Sequence, residues 1–207
     1  MTAINKAPIA PRKKGRPLSF DRDIALNKAM MLFWEHGYEA TSLNDLTSAL
    51  GVKPSSIYSA FGDKKSLFFE AVDLYLGGDA ALQKMLSQAP TARAAVKNML
   101  DGAVVAFTAD DKPKGCLLAS AALSCSDAAL DVRQSLGVIR RNMEAQVRDR
   151  IAVGIARQEL RGDAGALAGL AIALVQGLST LARDGASREK LTRIDATAFQ
   201  GWPDDQT

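Results

Sequence analysis

The chain has 207 residues, of which 47 % are apolar and 24 % are charged, and its formal net charge is +3. That length and apolar content are sufficient for a hydrophobic core, either in one large domain or in a small domain joined to a medium one. Two cysteines, Cys116 and Cys125, exclude a disulfide framework and predict a reducing, cytoplasmic compartment.

The first 20 residues concentrate the positive charge. They carry five basic residues and no acidic one, a charge of +5, so the rest of the chain sums to −2. With three prolines and little apolar content, residues 1–18 are predicted to be a disordered basic arm. Such an arm indicates a polyanionic partner, and a merely solubilising tail is the alternative. Its candidate DNA contacts are Arg12, Lys13, Lys14 and Arg16, which can follow the DNA backbone or enter a minor groove.

Helical spacing of apolar residues follows, and no segment shows the alternation expected of a strand. Ser19 or Asp21 can cap a first helix that ends near Gly37. The apolar face of this helix is predicted to be Ile24, Ala25, Ala29, Leu32 and Phe33. Thr41 or Ser42 can cap a second helix.

A short third helix is predicted over residues 54–61. Gly51 stops the second helix, and Pro54 suits the first position of the third because its missing N–H group is not needed there. Ile57 and Phe61 lie four residues apart and are expected to face inward. The outward residues are then Ser55, Ser56, Ser59, Ala60 and part of Tyr58.

Asp63 can cap a fourth helix that Gly77 and Gly78 stop, so residues 19–77 are predicted to form one compact helix-turn-helix unit. Longer helices are expected in a second unit, residues 78–207, at about 93–108, from Cys116, and at 127–160, 164–182 and 188–199. Residues 164–182 lack charge and approach the length of a membrane span. Their Ala, Gly and polar content predicts a helix buried in protein on most sides instead.

Helix 54–61 has the properties of a helix that reads DNA. The major groove admits a helix whose outer side chains are small or polar, supported by a second helix that contacts the backbone. Thr41 at a helix start can hold a phosphate through its hydroxyl and the free N–H groups nearby. Lys64 and Lys65 are placed to neutralise phosphates, and an ordinary helical hairpin with a polar outer face is the alternative.

Residues 37–68, GYEATSLNDLTSALGVKPSSIYSAFGDKKSLF, resemble the helix-turn-helix signature of the TetR/AcrR family of bacterial transcriptional regulators. The matching positions are Gly37, Tyr38, Thr41, Ser42, Gly51, Val52, Ile57, Tyr58, Phe61, Lys64 and Leu67. Thr47 stands where the family usually has Ala. The resemblance implies an all-α protein with an N-terminal three-helix helix-turn-helix DNA-binding domain and a C-terminal helical ligand-binding and dimerisation domain, about nine helices in all.

The resemblance also implies the mode of action. A homodimer would bind a pseudo-palindromic double-stranded DNA operator, usually as a repressor, without a cofactor. Carried over by position, Thr41, Tyr58 and Lys64 match phosphate contacts. The candidate DNA-binding residues of this unit are Thr41, Ser42, Lys53, Ser55, Ser56, Tyr58, Ser59 and Lys64. The family often has other residues at Lys53-Pro54 and Ser59-Ala60, so the base preference stays open.

The second unit is expected to hold the dimer together. Gly169, Ala173 and Gly177 recur at a spacing of four, which leaves one helix face nearly bare and allows another backbone to approach closely. Helix 164–182 and the last helix are therefore predicted to pack against their copies as a four-helix dimer interface. Close packing within one subunit is the alternative.

A small, largely apolar effector is expected in a cavity between the middle helices. The candidate lining is Met99, Phe107, Leu117, Leu118, Met143 and Val147, with Gln176 and Thr180 as its polar groups, and ordinary core positions are the alternative. A lone histidine, His36, and the lack of paired catalytic motifs argue against an enzyme and give a metal site little support. A thiol-responsive regulator that uses Cys116 and Cys125, or a helical protein-binding scaffold, are the competing functions.

Overall fold

The fold is helical throughout the residues that the structure, a computed structural model, describes: 20–78, 80–121 and 126–203. These ranges contain ten α-helices, one 3-10 turn and no strand. Nine of the helices have eight residues or more, which confirms the predicted all-α class and helix number. The candidate arm residues Arg12, Lys13, Lys14 and Arg16 lie outside the described residues, as does Cys125.

Four helices form the N-terminal unit: α1 (Arg22–His36), α2 (Leu43–Leu50), α3 (Pro54–Phe61) and α4 (Lys64–Leu76). Three of them begin at a carboxylate or hydroxyl cap, because the first N–H groups of a helix lack partners within it. Asp21 caps α1, Ser42 forms a capping box with Asp45 at α2, and Asp63 caps α4. Gly51 ends α2 in the left-handed conformation, with a φ of 68°.

The buried face of α1 differs from the prediction. Ile24 is 58 % exposed, whereas Met30 and Trp34 are buried together with Ala25, Ala29 and Phe33. The apolar stripe therefore lies one position later than expected, since α4 packs on the side of α1 that carries Trp34 and Phe33.

The C-terminal unit contains six helices: α5 (Ala81–Gln88), α6 (Ala92–Phe107), α7 (Leu117–Ser120), α8 (Leu130–Ala156), α9 (Ala164–Arg183) and α10 (Arg188–Gln200). The 3-10 turn Asp127–Ala129 precedes α8. Helix α5 was not predicted, and nothing caps its start with a side chain. Helix α8 begins and ends inside the predicted range 127–160, and Gln158 after it has a φ of 60°.

The structure has two hydrophobic cores, and the first of them crosses the predicted domain boundary at residue 77, which stays a prediction. The first is centred on Phe33, Phe68 and Ile57 but also takes in Leu117 and Leu136 from α7 and α8. The second joins α5, α6, α8, α9 and α10. The N-terminal unit is therefore packed directly against α7 and the first half of α8.

Helix α9 is long and apolar enough to cross a membrane by length and composition. Only 22 % of its most apolar window is buried, so the prediction of a helix buried on most sides is wrong for a single chain. One face packs on α6 and α8, and the opposite face is left accessible.

Candidate nucleic-acid interface and interior cavity

The turn between α2 and α3 places α3 at the surface of the N-terminal unit. The N–H group of Val52 donates to the Thr47 carbonyl over 3.1 Å, which closes the turn around Gly51. Pro54 then occupies the first turn of α3, as predicted. Ile57 and Phe61 are fully buried, so they fix which side of α3 faces outward.

The outward face of α3 is polar and small apart from one tyrosine. Ser55 and Ser59 are exposed, Ser56 is half-buried, and the Tyr58 side chain is 50 % exposed. Lys53 precedes the helix and is exposed as well. These residues form a single surface, which we call the α3 face.

Ala60 does not belong to the α3 face, contrary to the prediction. It is only 3 % exposed because the α3 end packs against α1, where the Arg22 guanidinium donates to the Ala60 carbonyl over 3.4 Å. Arg22 also lies 4.5 Å from the Phe61 ring centre and forms an ion pair with Glu70 of α4. Sequence reasoning missed this support for α3, since Arg22 and Glu70 lie 48 positions apart without a local pattern.

Thr41 has a different environment from the one predicted for a phosphate contact. Its side chain is 0 % exposed, and its hydroxyl donates to the Gly37 carbonyl over 2.7 Å. The hydroxyl thus ties the end of α1 to the start of α2. Ser42, not Thr41, caps α2 at the surface, and its hydroxyl accepts from the Asp45 N–H group over 3.1 Å.

The two predicted lysines at the start of α4 have separate surroundings. The Lys64 ammonium group lies 4.5 Å from the Tyr38 ring centre and donates to the Glu39 carbonyl over 3.4 Å. Burial lowers the pKa of Lys64, and the charges of Glu39 and Asp45 oppose that shift. Lys65 instead forms an ion pair with Asp131 of α8. The hydrogen bond within this pair raises the pKa of Lys65.

An open cavity of about 870 Å³ lies between the two units. Its wall combines α1 and α4 of the N-terminal unit with α5, α6, α8 and α9 and with Cys116 before α7. Five methionines line it, Met30, Met31, Met85, Met99 and Met143. Methionine is flexible and polarizable, so a wall of this kind adapts to ligands of different shape.

Half of the predicted cavity residues line this cavity: Met99, Phe107, Leu118 and Met143. Leu117 and Val147 are fully buried core residues. Gln176 and Thr180 lie on the accessible face of α9, away from the cavity, because α9 turns Ile172 and Val175 toward it instead.

Tyr75 and Cys116 line the cavity and supply polar groups to it, although neither residue was in the predicted lining. Burial raises the pKa of Tyr75, and the neighbouring Cys116 adds to the shift, while the Leu117 N–H group opposes it. The Trp34 ring meets Tyr75 edge-on with 4.9 Å between ring centres. The Tyr75 hydroxyl therefore stays protonated and neutral beside the thiol.

The accessible face of α9 carries the residues predicted for a dimer interface. Ala173 and Gly177 are exposed, and a Cβ atom built on Gly177 would meet no atom within 4 Å. Gly169 is half-buried, with its Cβ position 3.8 Å from the Glu144 carboxylate. Leu170 on the same side is 48 % exposed. We call this surface the α9 face.

A short helix held outward by a tight turn on a buttressing helix is the geometry of helix-turn-helix DNA-binding proteins. Residues 25–71 match the family model for bacterial regulatory proteins of the tetR family. Residues 90–197 match the model for the tetracyclin repressor-like C-terminal domain. The chain therefore belongs to the TetR family and is a transcriptional regulator, as the resemblance implied.

Individual relatives agree with this assignment. The HTH-type transcriptional repressor ComR of Escherichia coli (strain K12) is 34 % identical over 206 residues, 98 % of each chain. The TetR family regulator CifR was solved as a cysteine mutant complexed with 26-base-pair double-strand operator DNA. Its sequence is 40 % identical, and its structure matches with a TM-score of 0.86 over 91 % of this chain and 100 % of that chain. A TetR regulator from Rhodococcus sp. RHA1 is 38 % identical with a TM-score of 0.59, over 87 % of this chain and 98 % of that chain. These relatives are regulators rather than enzymes or scaffolds.

Proposed function

We propose that the chain is a homodimeric, cytoplasmic repressor that binds a pseudo-palindromic operator and releases it when a small, largely apolar effector enters the cavity. The observation that carries the DNA-binding part is the α3 face, where small polar side chains point outward from a helix anchored by buried Ile57 and Phe61. The operator complex of CifR, which is 40 % identical, supports the same use of this unit.

The proposed contacts divide by chemistry. Ser55, Ser56 and Ser59 are short hydrogen-bonding groups suited to base edges, whereas Lys53 and Tyr58 beside them suit phosphates. Ser42 at the start of α2 is a further proposed phosphate contact, and Lys64 adds a positive charge. The buried Thr41 keeps a supporting position behind Ser42. The basic arm, with Arg12 and its neighbours, extends the contact along the DNA.

A second copy of the chain is the proposed partner of the α9 face. A helix so apolar exposes an unusual surface to water unless another apolar surface covers it. Bare positions at Ala173 and Gly177 allow a second α9 to approach closely, and α10 completes the predicted four-helix arrangement. Two copies also bring two α3 faces to one operator, which one short helix cannot read alone.

The effector is proposed to bind among the methionines of the cavity. Met30, Met31 and Tyr75 belong to the N-terminal unit, while Met99 and Met143 belong to the C-terminal unit. A ligand that contacts both sets binds one relative arrangement of the two units better than another. That differential affinity is what a ligand needs to shift a conformational equilibrium.

A charge placed on the α3 face tests the DNA-binding proposal. Duplexes enriched by the wild-type protein from a random-sequence pool serve as the DNA. Ser59→Glu is expected to weaken their binding by at least about tenfold, since the carboxylate faces the DNA phosphates. The control Ser87→Glu adds the same charge on exposed α5 and is expected to bind as the wild type does. Equal binding by both variants would refute the assignment of α3.

A thiol response is the second candidate, favoured by the position of Cys116. Cys116 is half-buried, lines the cavity and lies beside Tyr75, so a modified thiol would occupy the same space as an effector. If this candidate is correct, alkylation with N-ethylmaleimide weakens DNA binding by the wild type but not by Cys116→Ser. The same loss in both proteins would assign the effect to Cys125 or to another site.

A further inference from the structure

Arg183, the last residue of α9, contacts the end of α1. Its Nη1 atom donates to the Trp34 carbonyl over 3.2 Å and to the Ser120 hydroxyl over 2.9 Å, and its Nη2 atom donates to the Glu35 carbonyl over 3.0 Å. Carbonyl groups in the last turn of a helix have no partner within it, and a cation is favourable there. One side chain of α9 therefore caps α1 from another part of the fold.

The segment before α7 packs against the same arginine. A Cβ atom at Gly115 would lie 2.7 Å from Arg183 Cγ and 2.7 Å from the Ser179 carbonyl, so only glycine fits, at a φ of 79°. The Trp34 indole N–H group donates to the Gly115 carbonyl over 3.1 Å. The Cys116 N–H group donates to the Ser179 hydroxyl over 2.8 Å. Arg183 thus closes a bonded set that joins α1, this segment and α9.

This bonded set lies between the proposed dimer surface and the DNA-reading helix. Helix α9 carries the α9 face, and α1 packs on α2 and holds the end of α3 through Arg22. Trp34 and Cys116 also line the cavity, so a ligand there touches two members of the set.

We propose that Arg183 is a positioning residue for operator binding: it fixes α1, and through α1 the α3 face, relative to α9. In a dimer built on α9, this contact would set the distance between the two recognition helices. The proposal rests on the homodimer proposed above and goes beyond it, because it assigns the choice of half-site spacing to a residue far from DNA.

The test compares half-site spacings. Affinities are measured for an enriched duplex and for derivatives with base pairs inserted or deleted between its half-sites, using wild type, Arg183→Gln, Arg183→Lys and the control Arg148→Gln. Arg148 is exposed and bonds its neighbour Asp149, so its replacement removes the same charge from the surface. Circular dichroism and light scattering establish the fold and the association state of each variant.

Wild type and Arg148→Gln are expected to prefer the native spacing by about tenfold or more, whereas Arg183→Gln discriminates by less than about threefold. Arg183→Lys keeps the charge but cannot reach three acceptors at once, so it is expected to lose discrimination too. If Arg183→Gln fails to fold, the spacing preference of Arg183→Lys tests the positioning role instead. Native discrimination in folded Arg183 variants would overturn the positioning role and leave the dimer proposal intact. A wild type indifferent to spacing would overturn both.

Discussion

Thr41 and Ser42 are adjacent hydroxyl residues with different partners. Ser42 lies at the surface as the cap of α2, and Thr41 is buried with its hydroxyl bonded to the Gly37 carbonyl. Replacing Thr41 by the isosteric valine leaves that carbonyl without this donor. Thr41→Val is therefore expected to lower the free energy of unfolding by about 1–2 kcal/mol in urea denaturation.

The same variant separates the two roles considered for Thr41. A buried hydroxyl does not reach the DNA, so folded Thr41→Val should bind an enriched duplex with the affinity of the wild type. A weaker affinity in folded Thr41→Val would restore the phosphate contact predicted from the sequence.

Asp63 gives the N-terminal unit a pH-dependent contribution. Its carboxylate accepts from the Ser66 N–H group over 2.6 Å, and hydrogen bonds from Ser66 hold the pKa of Asp63 below its ordinary value of 3.8. A lowered folded-state pKa means that this stabilisation is present above pH 3.8 and is lost as the pH falls through the lower folded value. Asp63→Ala should thus cost about 1 kcal/mol at neutral pH and progressively less below pH 3.8.

Thr91 provides the control for that titration. It caps α6 with a neutral hydroxyl that accepts from the Ala94 N–H group over 3.1 Å, so the cost of Thr91→Ala should not change over the same acidic range. The measurement is the difference in unfolding free energy between each variant and wild type at several pH values. A constant difference for Asp63→Ala would contradict the assigned cap.

At the scale of elements, α6 forms one wall of the cavity and contains Gly102 in its interior. A Cβ atom at Gly102 would meet no atom within 4 Å, so a larger side chain there can project into open space. Gly102→Leu is expected to stabilise the protein by about 0.5–1 kcal/mol, because glycine weakens a helix interior. It should also reduce enhancement of 8-anilinonaphthalene-1-sulfonate fluorescence by filling the cavity.

Val105 lies on α6 outside the cavity lining and is exposed, which makes Val105→Leu the matched control. Fluorescence enhancement equal to wild type in this variant, with a loss in Gly102→Leu, would locate the dye in the cavity. Unchanged enhancement in Gly102→Leu would show that the dye binds elsewhere.

One face of helix α9 packs against α6 and α8 of its own subunit, and a partner can cover the opposite face. Ala173 lies in the middle of the accessible face, so Ala173→Leu would push two packed helices apart. Light scattering is expected to show a dimer for wild type and a monomer for this variant. Ala152→Leu, on the exposed side of α8, should stay dimeric. A dimeric Ala173→Leu protein would count against the α9 face.

Local sequence signals located most elements but not their tertiary surroundings. Pro54 and Asp63 predicted helix starts correctly, and Asp21 and Ser42 are each one of the two caps predicted for α1 and α2, because capping depends on residues within one turn. The start of α5 lacked such a side-chain signal and was missed. Ala60 and Thr41 are buried through contacts with α1 and its end. The spacing of apolar residues within α2 or α3 cannot predict those contacts.

At the scale of the whole molecule, the division into two units at residue 77 stays a prediction, and side-chain packing crosses that boundary. The first core extends into α7 and α8, and the cavity opens between the units. The resemblance of residues 37–68 predicted the family, since that pattern encodes a local turn. The cavity could be predicted only in part, because its wall joins Met30 and Tyr75 to distant Met99 and Met143.

This arrangement gives the proposed regulator a physical basis for coupling. Trp34 belongs to α1, lines the cavity and is bonded to Gly115, while Arg183 bonds the Trp34 carbonyl from α9. A ligand that displaces Trp34 would act on the contact that orients the N-terminal unit. Binding of effector and binding of operator are then linked, and each lowers affinity for the other by the same factor.

In the proposed dimer, two copies of this chain read DNA together through α3. Selection from a random duplex pool, followed by measurement of the protein-to-DNA ratio of the enriched complex, tests this arrangement. An inverted repeat is expected, with half-sites about one helical turn apart and two chains, or a multiple of two, on each duplex. A single asymmetric motif bound by one chain, or no enriched motif, would contradict it.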